Sequence, residues 1–116
     1  MKRILIVEDE AAIREFEAIN LKRVGYSVVE AGSAEEALYI FDNDTEGFDI
    51  ALLDIDFDGA GYNGMDIARK IRSLRSDTVI IFVTNFIEYA PEGYEVQAFR
   101  YILKRDLLAD LKAILP

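Results

Sequence analysis

Four short apolar runs in this chain each end in side chains able to do polar chemistry. Ile4-Leu5-Ile6-Val7 leads into Glu8-Asp9-Glu10, and Ile50-Ala51-Leu52-Leu53 leads into Asp54. Val79-Ile80-Ile81-Phe82-Val83 ends in Thr84, and Tyr101-Ile102-Leu103 ends in Lys104. Runs of this length and composition read as strands buried on both faces of a parallel sheet. Ligands of such sheets bind outside the carboxyl ends of the strands. Gathered at one edge, Glu8, Asp9 and Asp54 repel one another unless a cation holds them, and oxygen ligands suit Mg²⁺. A partly hydrated Mg²⁺ also binds phosphoryl oxygens, and the Thr84 hydroxyl and Lys104 ammonium suit the oxygens that remain. An Asp carboxylate can itself be the nucleophile, giving an aspartyl-phosphate. The spacing therefore points to phosphoryl chemistry centred on Asp54.

Positioning those groups requires an alternation of strands and helices, and the rest of the chain supplies one. Strands are predicted over 3–7, 27–31, 48–53, 78–83 and 99–103. In the first helix, over 11–24, Ala12, Ile13, Phe16, Ile19 and Val24 fall on one broad apolar arc with Asn20 near its middle, and Gly25 is a stop signal. Ser33 followed by Glu36 has the form of a capping box. The helix it opens is expected to bury Ala37, Leu38 and Phe41. The stretch 56–64, rich in Gly and Asp, reads as a loop. A third helix over 65–74 would bury Ile67, Ala68, Ile71 and Leu74. A short fourth helix over 86–94 is disturbed by Pro91 and Gly93, and a closing amphipathic helix covers 107–115. Five alternations with short connections require parallel strands and right-handed crossovers. The expected architecture is a three-layer α/β sandwich, read as one domain over residues 1–116.

Composition narrows the function classes. A length of 116 residues with 52% hydrophobic content suits one folded core. A net charge of -9 argues against a nucleic-acid-binding surface, which needs clustered Lys and Arg. With no Cys and no His, thiol catalysis, imidazole-based triads and most zinc sites are excluded. The start, Met1-Lys2-Arg3, lacks the apolar region and cleavage site of a signal peptide, and no apolar stretch reaches membrane-spanning length. A cytoplasmic protein without membrane contact is the expectation.

At this point the residues resemble the receiver domains of two-component response regulators. The resemblance covers the whole chain and rests on Ile4-Leu5-Ile6-Val7-Glu8-Asp9-Glu10, Leu52-Leu53-Asp54-Ile55-Asp56, Val83-Thr84 and Ala98-Phe99-Arg100-Tyr101-Ile102-Leu103-Lys104. It implies a flavodoxin-like (βα)5 fold with a parallel sheet in the order 2-1-3-4-5. It also implies that Asp54 accepts a phosphoryl group from a phosphohistidine on a sensor histidine kinase. Asp9, Asp54 and the backbone carbonyl of Asp56 would bind Mg²⁺, with Glu8 completing the acidic pocket partly through water. Thr84 and Lys104 would engage the phosphoryl group, and Tyr101 matches the aromatic switch position that turns inward when Thr84 moves. The fourth helix, fifth strand and fifth helix would form an output face, able to pair with a second receiver as a homodimer. The chain would then be a signalling domain, catalysing only its own phosphoryl transfer and dephosphorylation. The stretch from Glu88-Tyr89-Ala90 to Ala98-Phe99 looks most like receivers that precede LytTR-type DNA-binding domains; no such output domain is read in this sequence.

The chain departs from the family pattern in three places. The run 56–64 is longer than usual and has no Pro, Asn85 stands where a small residue is common, and Arg105 stands where Pro is common. A trans Lys104-Arg105 bond is expected. Competing motifs fit less well. Asp54-Ile55-Asp56-Phe57-Asp58-Gly59 opens like an EF-hand loop, but its twelfth position is Met65, and a strand precedes it. Asp54 and Asp56 also resemble the paired acids of haloacid dehalogenase-like phosphatases, whose motif usually lies on the first strand; this is the alternative reading. A flavin module suits the fold, but Glu8-Asp9-Glu10 would repel a phosphate.

Overall fold

The computed structural model describes residues 2–54, 64–74, 77–84, 98–107 and 109. The loop 56–64 beyond its last residue, Asn85, the fourth helix and most of the closing helix lie outside the described residues, as does Asp56. The described elements run β1 (Arg3–Val7), α1 (Ala11–Arg23), β2 (Ser27–Ala31), α2 (Ala34–Asn43), β3 (Ile50–Asp54), α3 (Gly64–Leu74), β4 (Val79–Thr84) and β5 (Arg100–Leu103), with a 3-10 turn over Lys104–Asp106. The five strands form one parallel sheet in the order β2-β1-β3-β4-β5. This is the expected flavodoxin-like α/β fold, with β3 and its terminal Asp54 at the centre.

Because side chains alternate across a strand, each strand feeds two cores. Leu5, Val7, Ala51, Leu53, Ile80 and Phe82 pack with α2 and α3. Ile4, Ile6, Leu52, Ile81, Val83 and Ile102 pack on the other face with Ala18 and Leu21 of α1. The same alternation carries past the core to the sheet's edge. Glu8, Asp54 and Lys104 continue the α1-side rows of β1, β3 and β5, whereas Thr84 continues the row of Ile80 and Phe82 on the opposite side.

Two helix ends follow from local chemistry. After α1, Gly25 takes φ +102°, where a side chain would be strained. The Gly25 N–H then donates to the Lys22 carbonyl at 3.0 Å and the Tyr26 N–H to the Leu21 carbonyl at 3.1 Å. This double bond pattern closes the helix, and it places Tyr26 in the same core as Leu21. At the start of α2, Ser33 Oγ accepts from the Glu36 N–H at 3.1 Å. The Glu36 carboxylate accepts from the N–H of Gly32 at 3.3 Å, one residue earlier than a capping box requires.

The predicted buried arc of α1 is corrected by the structure. The helix buries Glu17, Ala18 and Leu21, while Ala12, Phe16, Ile19 and Val24 are exposed, Val24 at 65%. Counting apolar residues misplaced the face because other contacts set the helix's rotation. The Leu21–Tyr26 closure fixes one end, and Arg14, bonded to the Glu8 carbonyl, fixes the other. Asn20, half-buried, donates to the Phe16 carbonyl at 2.8 Å. In α3, Leu74 is exposed rather than buried, since the helix ends there. Strand boundaries shift by one or two residues in β3, β4 and β5, and the shifts bring Asp54 and Thr84 inside their strands.

The opposite edge of the sheet is tied by Arg3. Its guanidinium donates to Asp44 Oδ1 at 2.9 Å and to the Gly47 carbonyl at 2.7 Å, and it lies 4.5 Å over the Phe48 ring. Its backbone N–H donates to Asp49 Oδ2 at 2.8 Å. That network anchors the crossover between α2 and β3.

Candidate functional site

The site assembles where β1, β3 and β5 end on the α1 side. Asp54 is the last residue of β3 and only 1% exposed, so the proposed nucleophile sits inside the rim of the sheet. Glu8 follows β1 directly and is equally buried, whereas Asp9 and Glu10 face outward. Carboxylate oxygens of Glu8, Asp9 and Glu10 lie within 4.8 Å of one another. Glu8 Oε2 accepts a hydrogen bond from the Glu10 N–H at 3.1 Å.

Lys104 meets these acids from the end of β5. Its Nζ lies 3.2 Å from Asp54 Oδ2, 3.3 Å from Glu10 Oε1 and 3.6 Å from Glu8 Oε1. The spacing of the sequence brought Lys104 to Asp54 as expected, but Glu10 was not singled out as its third partner. Glu10 is the N-cap residue of α1, and its place beside Lys104 depends on how close the end of β5 comes to the start of that helix.

Charge at the site is strongly perturbed. Burial, reinforced by a hydrogen bond to Asp54, pushes the Glu8 carboxyl up to about 9. For Asp9, burial acts upward, but hydrogen bonds with Glu8 and Asp54 and the charge of Lys104 outweigh it, holding Asp9 below the usual range. Burial would lower Lys104, yet the negative charges of Asp54 and Glu8 win and hold it above the ordinary lysine range. Burial thus disfavours the charged form of Glu8, and the Lys104 ammonium offsets the charge of its acidic neighbours. Glu8 Oε1 has no hydrogen-bond partner among the described residues, although Oε2 accepts from the Glu10 N–H at 3.1 Å. An oxygen-only donor set with a buried oxygen lacking such a partner fits a hard divalent cation such as Mg²⁺.

Thr84, wholly buried, ends β4 one step beyond Val83, the register partner of Asp54. Tyr101 is half-buried, and its ring lies 5.2 Å from that of Phe82 at 31°. Phe82 is two residues before Thr84 on the same strand face, so Thr84 and Tyr101 share the α2/α3 side of the sheet. The structure thus sets Lys104 against Glu8 and Asp54, with Asp9 beside Glu8, and places Thr84 and Tyr101 on a neighbouring row. No peptide bond among the described residues is cis, including that between Lys104 and Arg105.

One further residue near the site was missed. Glu17 on α1 is 1% exposed, and its Oε1 lacks a hydrogen-bond partner among the described residues. Burial, with the charge of Asp54, pushes it up to about 8 against the opposing charges of Lys104 and Arg14. Amphipathic counting could not find it, because a Glu in a helix is ordinarily assigned to solvent.

A family model described as the response regulator receiver domain matches residues 4–115. The sensory transduction protein LytT of Bacillus subtilis (strain 168) is 35% identical over 105 residues, covering 90% of this chain and 42% of its own length. The phosphate regulon transcriptional regulatory protein PhoB of Pseudomonas aeruginosa is 38% identical over 123 residues, covering 98% and 52% respectively. The chain spans about half the length of these curated relatives. Among solved structures, response regulator protein TrrA from Thermotoga maritima, in complex with Mg²⁺-BeF, superposes with a TM-score of 0.81 at 33% identity. That match covers 99% of this chain and 100% of the other. A CheY-like receiver domain protein from Methanospirillum hungatei JF-1 gives the same TM-score and identity, covering 97% and 92%. The phosphatase alternative gains no support from these matches. Among the described residues, no helix is long and apolar enough to cross a membrane.

Proposed function

The chain belongs to the response regulator receiver domain family, and from that premise we propose that it accepts a phosphoryl group on Asp54. The observation that carries this reading is the buried Asp54 carboxylate with the Lys104 ammonium 3.2 Å away, the same Nζ lying 3.6 Å from the buried Glu8. The donor is a phosphohistidine of a sensor histidine kinase. An Asp54 oxygen attacks phosphorus, the P–N bond breaks, and the imidazole leaves with the bonding pair. Mg²⁺, held by Glu8, Asp9, Asp54 and the carbonyl of Asp56, would neutralise charge on the phosphoryl oxygens. Lys104 stabilises the same charge and orients the acceptor oxygen, and the Thr84 hydroxyl takes a phosphoryl oxygen once it is in place.

Phosphorylation adds charge and acceptor oxygens at one spot, which is the usual trigger of such switches. Drawing Thr84 toward the phosphoryl group vacates space on the row it shares with Phe82, where the Tyr101 ring can follow. That motion shifts the balance of states on the face built from the fourth helix, β5 and the fifth helix. The partners of that face are a second receiver or a target protein; direct nucleic-acid contact by this chain does not suit its net charge of -9. The reading places the protein in the cytoplasm, with its kinase.

A small phosphodonor with Mg²⁺ should add one phosphoryl mass to the intact protein, and Asp54→Asn should abolish the addition. An adduct that survives Asp54→Asn would sink the assignment. Steady turnover of unrelated phosphoesters, lost with Asp56→Asn, would favour the phosphatase instead.

A further inference from the structure

We propose that Arg14 positions the acidic pair for the cation, and that Gly32 is the seat that lets it do so; this rests on the phosphoacceptor reading above. Arg14 lies one turn into α1, and its Nη1 donates to the backbone carbonyl of Glu8 at 2.7 Å. The N–H of Glu8 donates to the Ala31 carbonyl at 3.1 Å. The peptide groups on both sides of Glu8 are therefore gripped, one by the end of β2 and the other by a guanidinium. Arg14 is itself held between Glu30, whose Oε1 is 3.8 Å from its Nε, and the backbone of residue 32. A Cβ at position 32 would stand 3.1 Å from Nη1, tighter than most such contacts, and 3.6 Å from Cζ, an ordinary contact. Gly32 in turn is fixed by its N–H bond to Glu36 at 3.3 Å.

The grip has a purpose that packing alone does not supply. Asp9 must stay beside the site although the like charge of Asp54 pushes the β1–α1 turn outward. Arg14 resists that push through the main chain, leaving the carboxylate oxygens free to face a cation. Its contribution is to hold the ligands in place before the metal arrives, as groups that orient metal ligands do elsewhere. Arg14 is thus a positioning residue, and it touches neither the phosphoryl group nor the metal.

The test titrates unphosphorylated protein with Mg²⁺, by calorimetry and by amide shifts of Glu8 and Asp9, for wild type, Arg14→Gln, Arg14→Lys, Gly32→Ala and Arg14→Gln/Gly32→Ala. Arg14→Gln should weaken Mg²⁺ binding about tenfold, the lower end for loss of a ligand-orienting group. Gly32→Ala should weaken it less, because the guanidinium shifts by only a few tenths of an ångström. The double variant should match Arg14→Gln, since both changes act through one contact. Phosphoryl uptake from a small donor should need more Mg²⁺ for half-maximal rate, with the rate restored at high Mg²⁺. Wild-type affinity in Arg14→Gln, or additive losses in the double variant, would overturn the role. If Arg14→Gln fails to fold, Gly32→Ala decides: unchanged Mg²⁺ affinity there overturns it. A wild-type chain that takes up neither Mg²⁺ nor phosphoryl overturns the proposed function, and this inference with it; uptake by wild type and variants alike overturns only the part played by Arg14.

Discussion

Lys104 Nζ stands 3.2 Å from Asp54 Oδ2, between a side chain that is 8% exposed and one that is fully buried. Removing one member of a buried pair leaves the other charge uncompensated, which ordinarily costs about 3–5 kcal/mol. Here Glu8, whose charged form burial already disfavours, lightens that cost, so Lys104→Met should cost about 2–3 kcal/mol at pH 8. Asp54→Asn should act in the opposite direction, stabilising the protein by about 1 kcal/mol, because function rather than stability selects clustered acids. Urea unfolding followed by circular dichroism checks both signs. A Lys104→Met variant as stable as wild type at pH 8 would mean that the pair contributes nothing.

Mg²⁺ binding should be linked to protons. Glu8, raised by burial to about 9, carries a proton at neutral pH that must leave when its carboxylate meets a cation. Affinity for Mg²⁺ should therefore rise from about pH 6 to about pH 9. Calorimetry in buffers of different ionisation enthalpy reads the released proton directly. Glu8→Gln should weaken binding and flatten the pH dependence; a flat wild-type profile would contradict the assignment.

Glu17 sets a second pH dependence, in stability. Its folded value of about 8 lies above the ordinary 4.5, so the native state binds more protons than the unfolded chain between those limits. Its stabilising effect is complete below the lower limit and is lost as pH rises through the upper one, at up to about 1.4 kcal/mol per unit. Glu8 contributes with the same sign, so the difference between wild type and Glu17→Leu isolates Glu17. Glu17→Leu should be more stable than wild type by about 2 kcal/mol at pH 8, with a smaller gap at pH 5. An equal gap at both values would show that Glu17 does not titrate in this window.

The rotation of α1 can be tested by two truncations of similar size. Leu21, 2% exposed, should cost about 2–5 kcal/mol on change to Ala. Ile19, 46% exposed, should cost about 0.5 kcal/mol. A larger loss at Ile19 than at Leu21 would restore the face expected from the apolar pattern.

How much of this could be read beforehand divides by mechanism. Strand positions were legible because buried strands announce themselves as apolar runs, whereas their order came from the family resemblance; β1 and β2 begin and end where expected. The meeting of Asp54 with Glu8, Asp9 and Lys104 followed from topology, which carries every strand end to one edge. The face of α1 did not follow, because Arg14 and the Leu21–Tyr26 closure orient it through bonds that periodicity does not register. Glu17 was invisible for a related reason: its burial depends on how α1 is turned, not on its own character. Glu10 was read as part of the acidic run, but its bond to Lys104 needed the closeness of β5 to the start of α1.

The Arg3 clamp at the far edge bears on how variation should be tolerated along this chain. There the Arg3 guanidinium is answered by Asp44, the Gly47 carbonyl and the face of Phe48. At the other edge carboxyls crowd together, and one buried oxygen of Glu8 lacks a hydrogen bond. A mutational map would accordingly sort by height along the strands. Changes near Arg3 would lower abundance while leaving signalling per molecule intact, and changes of the site acids such as Asp54→Asn would silence molecules that still accumulate. Heritable defects in this protein would come in two kinds, separable by a blot before any assay of activity.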